Sequence, residues 1–238
     1  MTSARGNLLI ASLDVAVRAT LADSVERVPF SQGYPFYEDG DELRHAWFVE
    51  RGLISLVTTL SDGFTVENAT VGREGVVGAT ADLRPAPAFG QAIGQAPGEA
   101  SRIELSRLRE IAQTHEPLRH RLSLAADLIT AESRQSAACL ARHEVHQRLC
   151  RWLLRCHDRL GDDNLTLTQE FLGHMLGTRR STVSLVARTL EKAGLIDYSR
   201  GSVRILDRKG LEARSCECYA SVHRRAVEMG LEPGNPPS

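Results

Sequence analysis

No run of apolar residues in this 238-residue chain is long enough to span a bilayer, which excludes a membrane-spanning helix within it. The opening segment, MTSARGNLLIASLDVAVRATL, lacks the compact apolar core and small-residue cleavage site of a secretory signal. Asp14 and Arg18 interrupt its periodic apolar residues, so it reads as one short amphipathic helix and not as a leader. Cysteine is scarce and odd in number: Cys139, Cys150, Cys156, Cys216 and Cys218 are the five, and reduced thiols in a cytoplasm are expected. Catalytic equipment is also thin. The chain offers no nucleophile with a paired base and no glycine loop that would cradle a phosphate, and the strands of the roll offer only His45 where a metal-dependent roll enzyme needs several histidines and a glutamate. An enzyme is therefore not expected, although a metal-dependent or other enzyme on the roll stays as the alternative class.

What is there is an ordinary globular composition, 42% hydrophobic and 25% charged, in a length that suits two domains. Net charge is −1, yet residues 177–209 carry eight basic side chains (Arg179, Arg180, Arg188, Lys192, Arg200, Arg204, Arg208, Lys209) against three acidic ones (Glu191, Asp197, Asp207). A local excess of five positive charges on a near-neutral chain points to a polyanion bound at one place.

From about residue 24 to residue 105 short β-branched and aromatic runs alternate with turn residues. HAWFVERG and LISLVTTL, with Asp-Gly pairs at 39–40 and 62–63, predict a small antiparallel roll or barrel. Residues 80–100 are dense in Ala, Pro and Gly, which favours loop, interrupted by one short strand near Gln91–Gln95. LSRLREIAQTHEP predicts a short helix ending before Pro117. A helix of roughly 25 residues, on the order of 37 Å, follows from Pro117. Its stripe of Leu118, Leu122, Ala125, Ile129, Glu132, Ser136 and Cys139 or Leu140 has the width of an a/d seam, which favours a two-stranded dimer over a spine packed on its own domain. Domain limits at 1–115, 116–142 and 143–238 follow.

HEVHQRLCRWLLRCHDRLG is a further amphipathic helix. His143, His146 and Cys150 fall on one face of it in a zinc-compatible array, but helix packing accounts for them more simply. Cys216 and Cys218 in RSCECY are too close for an ordinary disulfide between helical neighbours, and no metal or cofactor is expected.

LTLTQEFLGHMLG predicts a short helix with Thr168 as its N-cap. After a turn at Gly177, RSTVSLVARTLEKAG predicts a second helix whose Val183, Val186, Ala187 and Leu190 face inward, followed by two short strands around Ser-Arg-Gly. This is a winged helix-turn-helix, with the start of the second helix offered to a major groove. Small hydroxyls there allow close backbone approach, and an arginine can reach guanine O6 and N7 together. Arg180, Ser181 and Ser184 are the candidates for base edges; Thr168, Gln169, Arg179, Thr182, Arg200 and Ser202 are the candidates for phosphates.

LTLTQEFLGHMLGTRRSTVSLVARTLEKAGLIDYSRGSVRILD resembles the helix-turn-helix of the Crp/Fnr family of bacterial transcription regulators, and the order of roll, long helix and winged domain is similar over nearly the whole chain. The resemblance implies an α+β fold: an N-terminal antiparallel β-roll (a cyclic-nucleotide-binding-like jelly roll), a long dimerisation helix and a C-terminal winged helix-turn-helix. It also implies a cytoplasmic homodimer joined through Leu118, Leu122, Ala125 and Ile129, with double-stranded DNA and RNA polymerase as partners. Ser181 and Leu185 stand where the family has glutamate and arginine, while Arg180 is retained, so the family's best-known operator is not carried over. In the roll, Ala79 follows Gly78 where the family's ribose-binding glutamate stands, and no Arg or Lys lies between Arg84 and Arg102. Glu74 and Arg84 sit in the wrong register to substitute. Cyclic nucleotide in the usual mode is not expected; an unidentified small molecule, or none, is. The absence of cysteine before Cys139 argues against an iron–sulfur sensor, and nothing singles out His45 or His120 as haem ligands.

Overall fold

The computed structural model describes residues 6–166, 169–199 and 201–231, with residues 169 and 170 described as backbone alone. The N-terminal segment is two helices instead of the single one expected, α1 (Leu8–Ala11) and α2 (Val15–Ala22), because Asp14 caps a fresh start: its carboxylate accepts from the Val17 amide. The roll follows as β1 (Glu26–Phe30), β2 (Pro35–Tyr37), β3 (Glu42–Leu43), β4 (His45–Thr59), β5 (Thr65–Val71), β6 (Val76–Val77), β7 (Ala86–Pro87) and β8 (Gln91–Glu104). Its main sheet runs β1-β8-β4-β5, with β2 on β8 and β6 on β4, and every pairing is antiparallel.

The Ala/Gly/Pro-rich stretch is not mainly loop. Residues 91–104 form the 14-residue β8, paired with β4 through the centre of the sheet. Pro97 falls where the register shifts between Arg51↔Glu99 and Leu53↔Ala96, so its missing N–H falls at an irregularity in the ladder. A Cβ on Gly98 would lie 2.1 Å from the Arg51 carbonyl oxygen. The small residues that resemble loop composition are there because two backbones approach too closely for side chains.

Helices take over with α3 (Leu105–Thr114), the 27-residue α4 (Glu116–Arg142) and α5 (Val145–Leu160), the last closed by Gly161 in the left-handed region. Then come β9 (Asn164–Thr166), α6 (Gln169–Met175), α7 (Arg180–Lys192), β10 (Ile196–Ser199), β11 (Ser202–Ile205), α8 (Arg208–Arg214) and α9 (Cys218–Glu228). One core fills the space between the roll, α1–α3 and the start of α4. Another joins α5–α7 and the strands around them to Leu53 and Val57 of β4, so apolar packing runs unbroken from roll to C-terminal half.

The inward stripe of α4 is occupied within its own chain, and this corrects the dimer seam read from it. Leu118, Leu122 and Ala125 are buried against α1–α3 and the roll, and Ile129 is half-buried against the sheet core. Leu128 of the same helix packs on Ala226, Met229 and Leu231 at the end of the chain. The periodicity identified a buried face correctly, but the roll and α9 cover it. The exposed residues of α4 include Ser123, Asp127, Thr130, Arg134, Ala137 and Ala141, on the opposite side.

Lower on α4, Glu132 is 1% exposed and meets two guanidiniums from α5. Its Oε1 pairs with Arg155 and accepts from the backbone and hydroxyl of Thr70 on β5 at 3.0 and 3.1 Å, while its Oε2 meets Arg159 at 3.2 Å. Arg159 also holds Glu74 at 2.7 Å. Beside it, Trp152 of α5 donates to Glu67 Oε1 at 3.0 Å. Ser55 Oγ lies 2.7 Å from both Glu67 Oε2 and Gln95 Oε1. A hydroxyl has one proton, so the second contact draws its proton either from Glu67 or from the Gln95 amide turned to present its NH2 group. Burial pushes the Glu67 carboxyl above the usual carboxylate range against the opposing pull of Arg155, and burial lowers Arg155 itself to about 10.

Glu132→Ala, which removes the carboxylate paired with buried Arg155 and one of the two paired with Arg159, should cost about 3–5 kcal/mol in chemical denaturation, whereas Asp197→Ala, which breaks an exposed pair with Arg204, should cost under about 1 kcal/mol. Glu67 behaves oppositely. A carboxyl whose folded pKa is raised stabilises the fold on the acid side and loses that contribution as pH rises through the folded value. Glu67→Gln should therefore gain stability relative to wild type as pH rises above the ordinary glutamate range, read from denaturation midpoints at a series of pH values.

Candidate nucleic-acid interface

Helices α6 and α7 are joined by a turn at Gly177, whose φ of +54° lies in the left-handed region. The pair can cross closely because a Cβ on Gly173 would already sit 3.1 Å from the Thr178 carbonyl. On α7, Val183, Ala187 and Leu190 are buried among Leu172, Met175, Leu176, Leu149 and Trp152. Arg179, Arg180, Ser181, Leu185 and Arg188 are exposed, and Thr182 and Ser184 are half-exposed. The N-cap of α7 is Arg179, whose own side chain makes no capping hydrogen bond, and the positive end of the helix dipole lies beside two exposed arginines. Ser184 Oγ donates to the Arg180 carbonyl at 3.0 Å, which holds its hydroxyl close to the helix.

The wing is a three-stranded sheet in the order β10-β11-β9, with Ser199 opposite Ser202 at its tip. Structure and sequence agree that Arg179, Arg180, Ser181, Thr182 and Ser184 share the first two turns of α7 and that Ser202 opens the second wing strand. Thr168 and Arg200 lie outside the described residues, and Gln169 is described only as the backbone opening α6.

Not all of the basic patch faces out. Arg208 is turned inward, paired with Asp158 at 2.8 Å and Glu212 at 3.0 Å and bonded to His157 Nδ1 and the Tyr219 hydroxyl. Arg204 is paired with Asp197 at 2.9 Å on the wing. Two further residues share the exposed face without being among the candidates from sequence. Leu185 is 68% exposed despite being apolar, and Arg188 lies one turn beyond Ser184. The signal was available: 181, 184, 185 and 188 are the complement of the buried 183, 187 and 190 stripe.

On the roll side, a cavity of about 730 Å³ lies between β6, the 78–84 turn, α3 and α4. Arg84, Arg109 and Arg119 line it together with Tyr37, Leu122 and Ile129. Glu74 is not among its lining residues, since that carboxylate is committed to Arg159 and the Gly72 amide. His45 starts β4 against Trp47, while His120 is exposed on α4, so the two do not form a ligand pair.

Roll, long helix and winged helix-turn-helix in this order define a two-part architecture with a nucleic-acid-binding module at its C-terminal end. Residues 147–214 match the model of the Crp-like helix-turn-helix domain. The structure of FixK2 from Bradyrhizobium japonicum superposes with a TM-score of 0.70 at 17% identity, covering 81% of this chain and 98% of that one. A CRP-family transcriptional regulator from Thermus thermophilus gives 0.67 at 24% identity, over 80% and 96%. Among curated proteins, Electron transport regulator A of Shewanella oneidensis is 22% identical over 201 residues, 79% of this chain and 78% of that protein. The chain thus carries a Crp-like helix-turn-helix domain and has the fold of Crp/Fnr-family transcription regulators over most of its length, a jelly roll included.

The inward and outward faces of α7 can be separated by stability alone. Leu190→Ala should cost about 2–5 kcal/mol in urea denaturation, while Leu185→Ala should stay within about 0.5 kcal/mol of wild type.

Proposed function

We propose that the protein is a sequence-specific DNA-binding transcription regulator that acts as a homodimer on a pseudo-palindromic operator. The observation that carries this reading is the start of α7, exposed and doubly basic on a helix whose other face is locked in the core, within the segment matching the Crp-like module. Arg180, Ser181 and Ser184 read base edges, and Leu185 is placed on the same face to contact a thymine methyl. Arg179, Thr182, Ser202 and, from the sequence, Thr168, Gln169 and Arg200 hold phosphates. Dimerisation through α4 uses its outward face, where Ser123, Asp127, Thr130, Arg134, Ala137 and Ala141 recur at alternating steps of four and three. RNA polymerase is the further partner such a regulator would meet. Two of the similar proteins named above, the Thermus thermophilus and Shewanella oneidensis proteins, are called regulators, which favours this reading over an enzyme.

A second reading refines the first: the regulator is gated by a small molecule in the cavity between roll and α4. Its size and its three arginines, set against Asp82 and Asp127, leave one positive charge in excess and favour a ligand with an anionic group, in a pocket closed partly by the long helix that would carry the response.

Purified full-length protein, with no ligand added and at near-physiological salt, should enrich genomic fragments bearing a two-fold symmetric motif with half-site centres about 10 base pairs apart or a multiple of that. Arg180→Ala should cost about 1–3 kcal/mol and relax base preference at one position per half-site; Arg200→Ala should weaken all sequences alike and reduce the salt slope by about one. Salt-labile retention without any motif would overturn the proposal, and equal behaviour of the two variants would overturn the division of roles.

A further inference from the structure

Where α4 ends and α9 begins, four side chains from distant parts of the sequence converge. Cys139 and His143 stand on the last turn and C-cap of α4; Cys216 lies in the short link after α8, and Cys218 is the first residue of α9. The three sulfurs and one imidazole nitrogen all lie within 4.8 Å of one another. The three thiols are buried and His143 is half-buried. Sequence spacing grouped His143 with His146 and Cys150 instead. The fold separates them: His146 pairs with Glu144 at 3.2 Å and Cys150 is buried in the core of the C-terminal half.

We propose that Cys139, His143, Cys216 and Cys218 form a closed tetrahedral site for a thiophilic divalent ion of the zinc type. With metal–sulfur bonds of about 2.3 Å and a metal–nitrogen bond of about 2.05 Å, tetrahedral geometry requires sulfur–sulfur edges of about 3.8 Å and sulfur–nitrogen edges of about 3.6 Å. Cys139 Sγ and Cys216 Sγ are 3.6 Å apart, and Cys218 Sγ and His143 Nδ1 are 3.5 Å apart. The donors are too close together to surround a polynuclear iron–sulfur cluster and too far apart to be a sulfur–sulfur bond.

The surroundings are those of a metal site. His143 turns Nδ1 to the sulfurs and presents Nε2 to Glu217 at 3.2 Å, the carboxylate partner that fixes the tautomer of a ligating histidine. Gln135 donates to Cys218 Sγ at 3.0 Å, and the Cys218 amide donates to the Cys216 sulfur. Arg148 and Arg151, both more than nine-tenths buried, act electrostatically on these thiols, and each has at least one guanidinium nitrogen with no hydrogen-bond partner among the described residues. Three thiolates, a neutral imidazole and a divalent ion carry one net negative charge, which together with the Glu217 carboxylate balances the two guanidiniums. On binding, the three thiol protons leave to solvent and no electron is transferred. The bound ion pins the end of the long helix to the α8–α9 joint, directly beside the turn into α5.

The test uses full-length protein purified under reducing conditions, stripped with chelator and titrated with Co(II), then with Zn(II). One cobalt per chain is expected, with the intense visible bands of tetrahedral coordination, a thiolate charge-transfer band, and bleaching by one equivalent of zinc. Cys216→Ser should weaken cobalt affinity by at least roughly tenfold, Cys150→Ala should leave it unchanged, and His143→Cys should keep the tetrahedral spectrum with stronger charge transfer. Absence of stoichiometric binding to the wild-type chain, a pale octahedral spectrum, iron with inorganic sulfide in the purified protein, or a Cys139–Cys216 disulfide as its form under reductant would each overturn the site. None of these readouts involves DNA, so they stand apart from the proposed regulatory function.

Discussion

Glu132 is the group on which the arrangement of the two halves depends. It is a carboxylate on the long helix, buried between two arginines of the first helix of the C-terminal domain and the Thr70 backbone of the roll. Removing any one element leaves charge in a medium that cannot solvate it, so α4, α5 and β5 must be assembled together. An apolar contact of the same area would tolerate sliding. A carboxylate shared by two guanidiniums and two donors from a third element has few alternative geometries, which suits a protein whose DNA-binding helices must be held at a fixed offset from the rest.

The same helix serves three sets of neighbours along its length. Its beginning packs apolar side chains on the roll and α3, its middle carries the charge cluster, and its end carries Cys139 and His143. That graded character was visible in the sequence as a stripe that starts apolar and becomes small or polar. Periodicity says that a face is buried; it does not say by what. For a lone long helix the partner copy is the obvious occupant, and here the chain supplies its own.

The winged module was legible because its signals are local: a capped short helix, a glycine turn, a helical stripe of Val183, Ala187 and Leu190, and a Ser-Arg-Gly hairpin all lie within about forty residues. The roll was legible as a class for the same reason, through its Asp-Gly turns and β-branched runs. Strand β8 was not, because its Gly98 and Pro97 answer to the backbone of β4 more than forty residues away. The thiol–imidazole cluster was hidden for the same reason: Cys139 and Cys216 are 77 positions apart, and helical spacing alone paired His143 with the wrong neighbours. The inward turn of Arg208 was equally invisible, since a charge count cannot distinguish a side chain aimed at solvent from one aimed at Asp158.

Strand β9 precedes the helix pair and β11 follows it, yet the two hydrogen-bond to each other, Leu165 opposite Val203. The segment between them is thereby closed into a loop with α7 inside, anchored at both ends by one small sheet. Such a helix has no independent hinge. Any change of its angle relative to the rest of the protein must be a swing of the entire closed unit, so a signal arriving from the roll would act as a lever on a rigid head and not as a local melting or re-registering of the groove-facing helix.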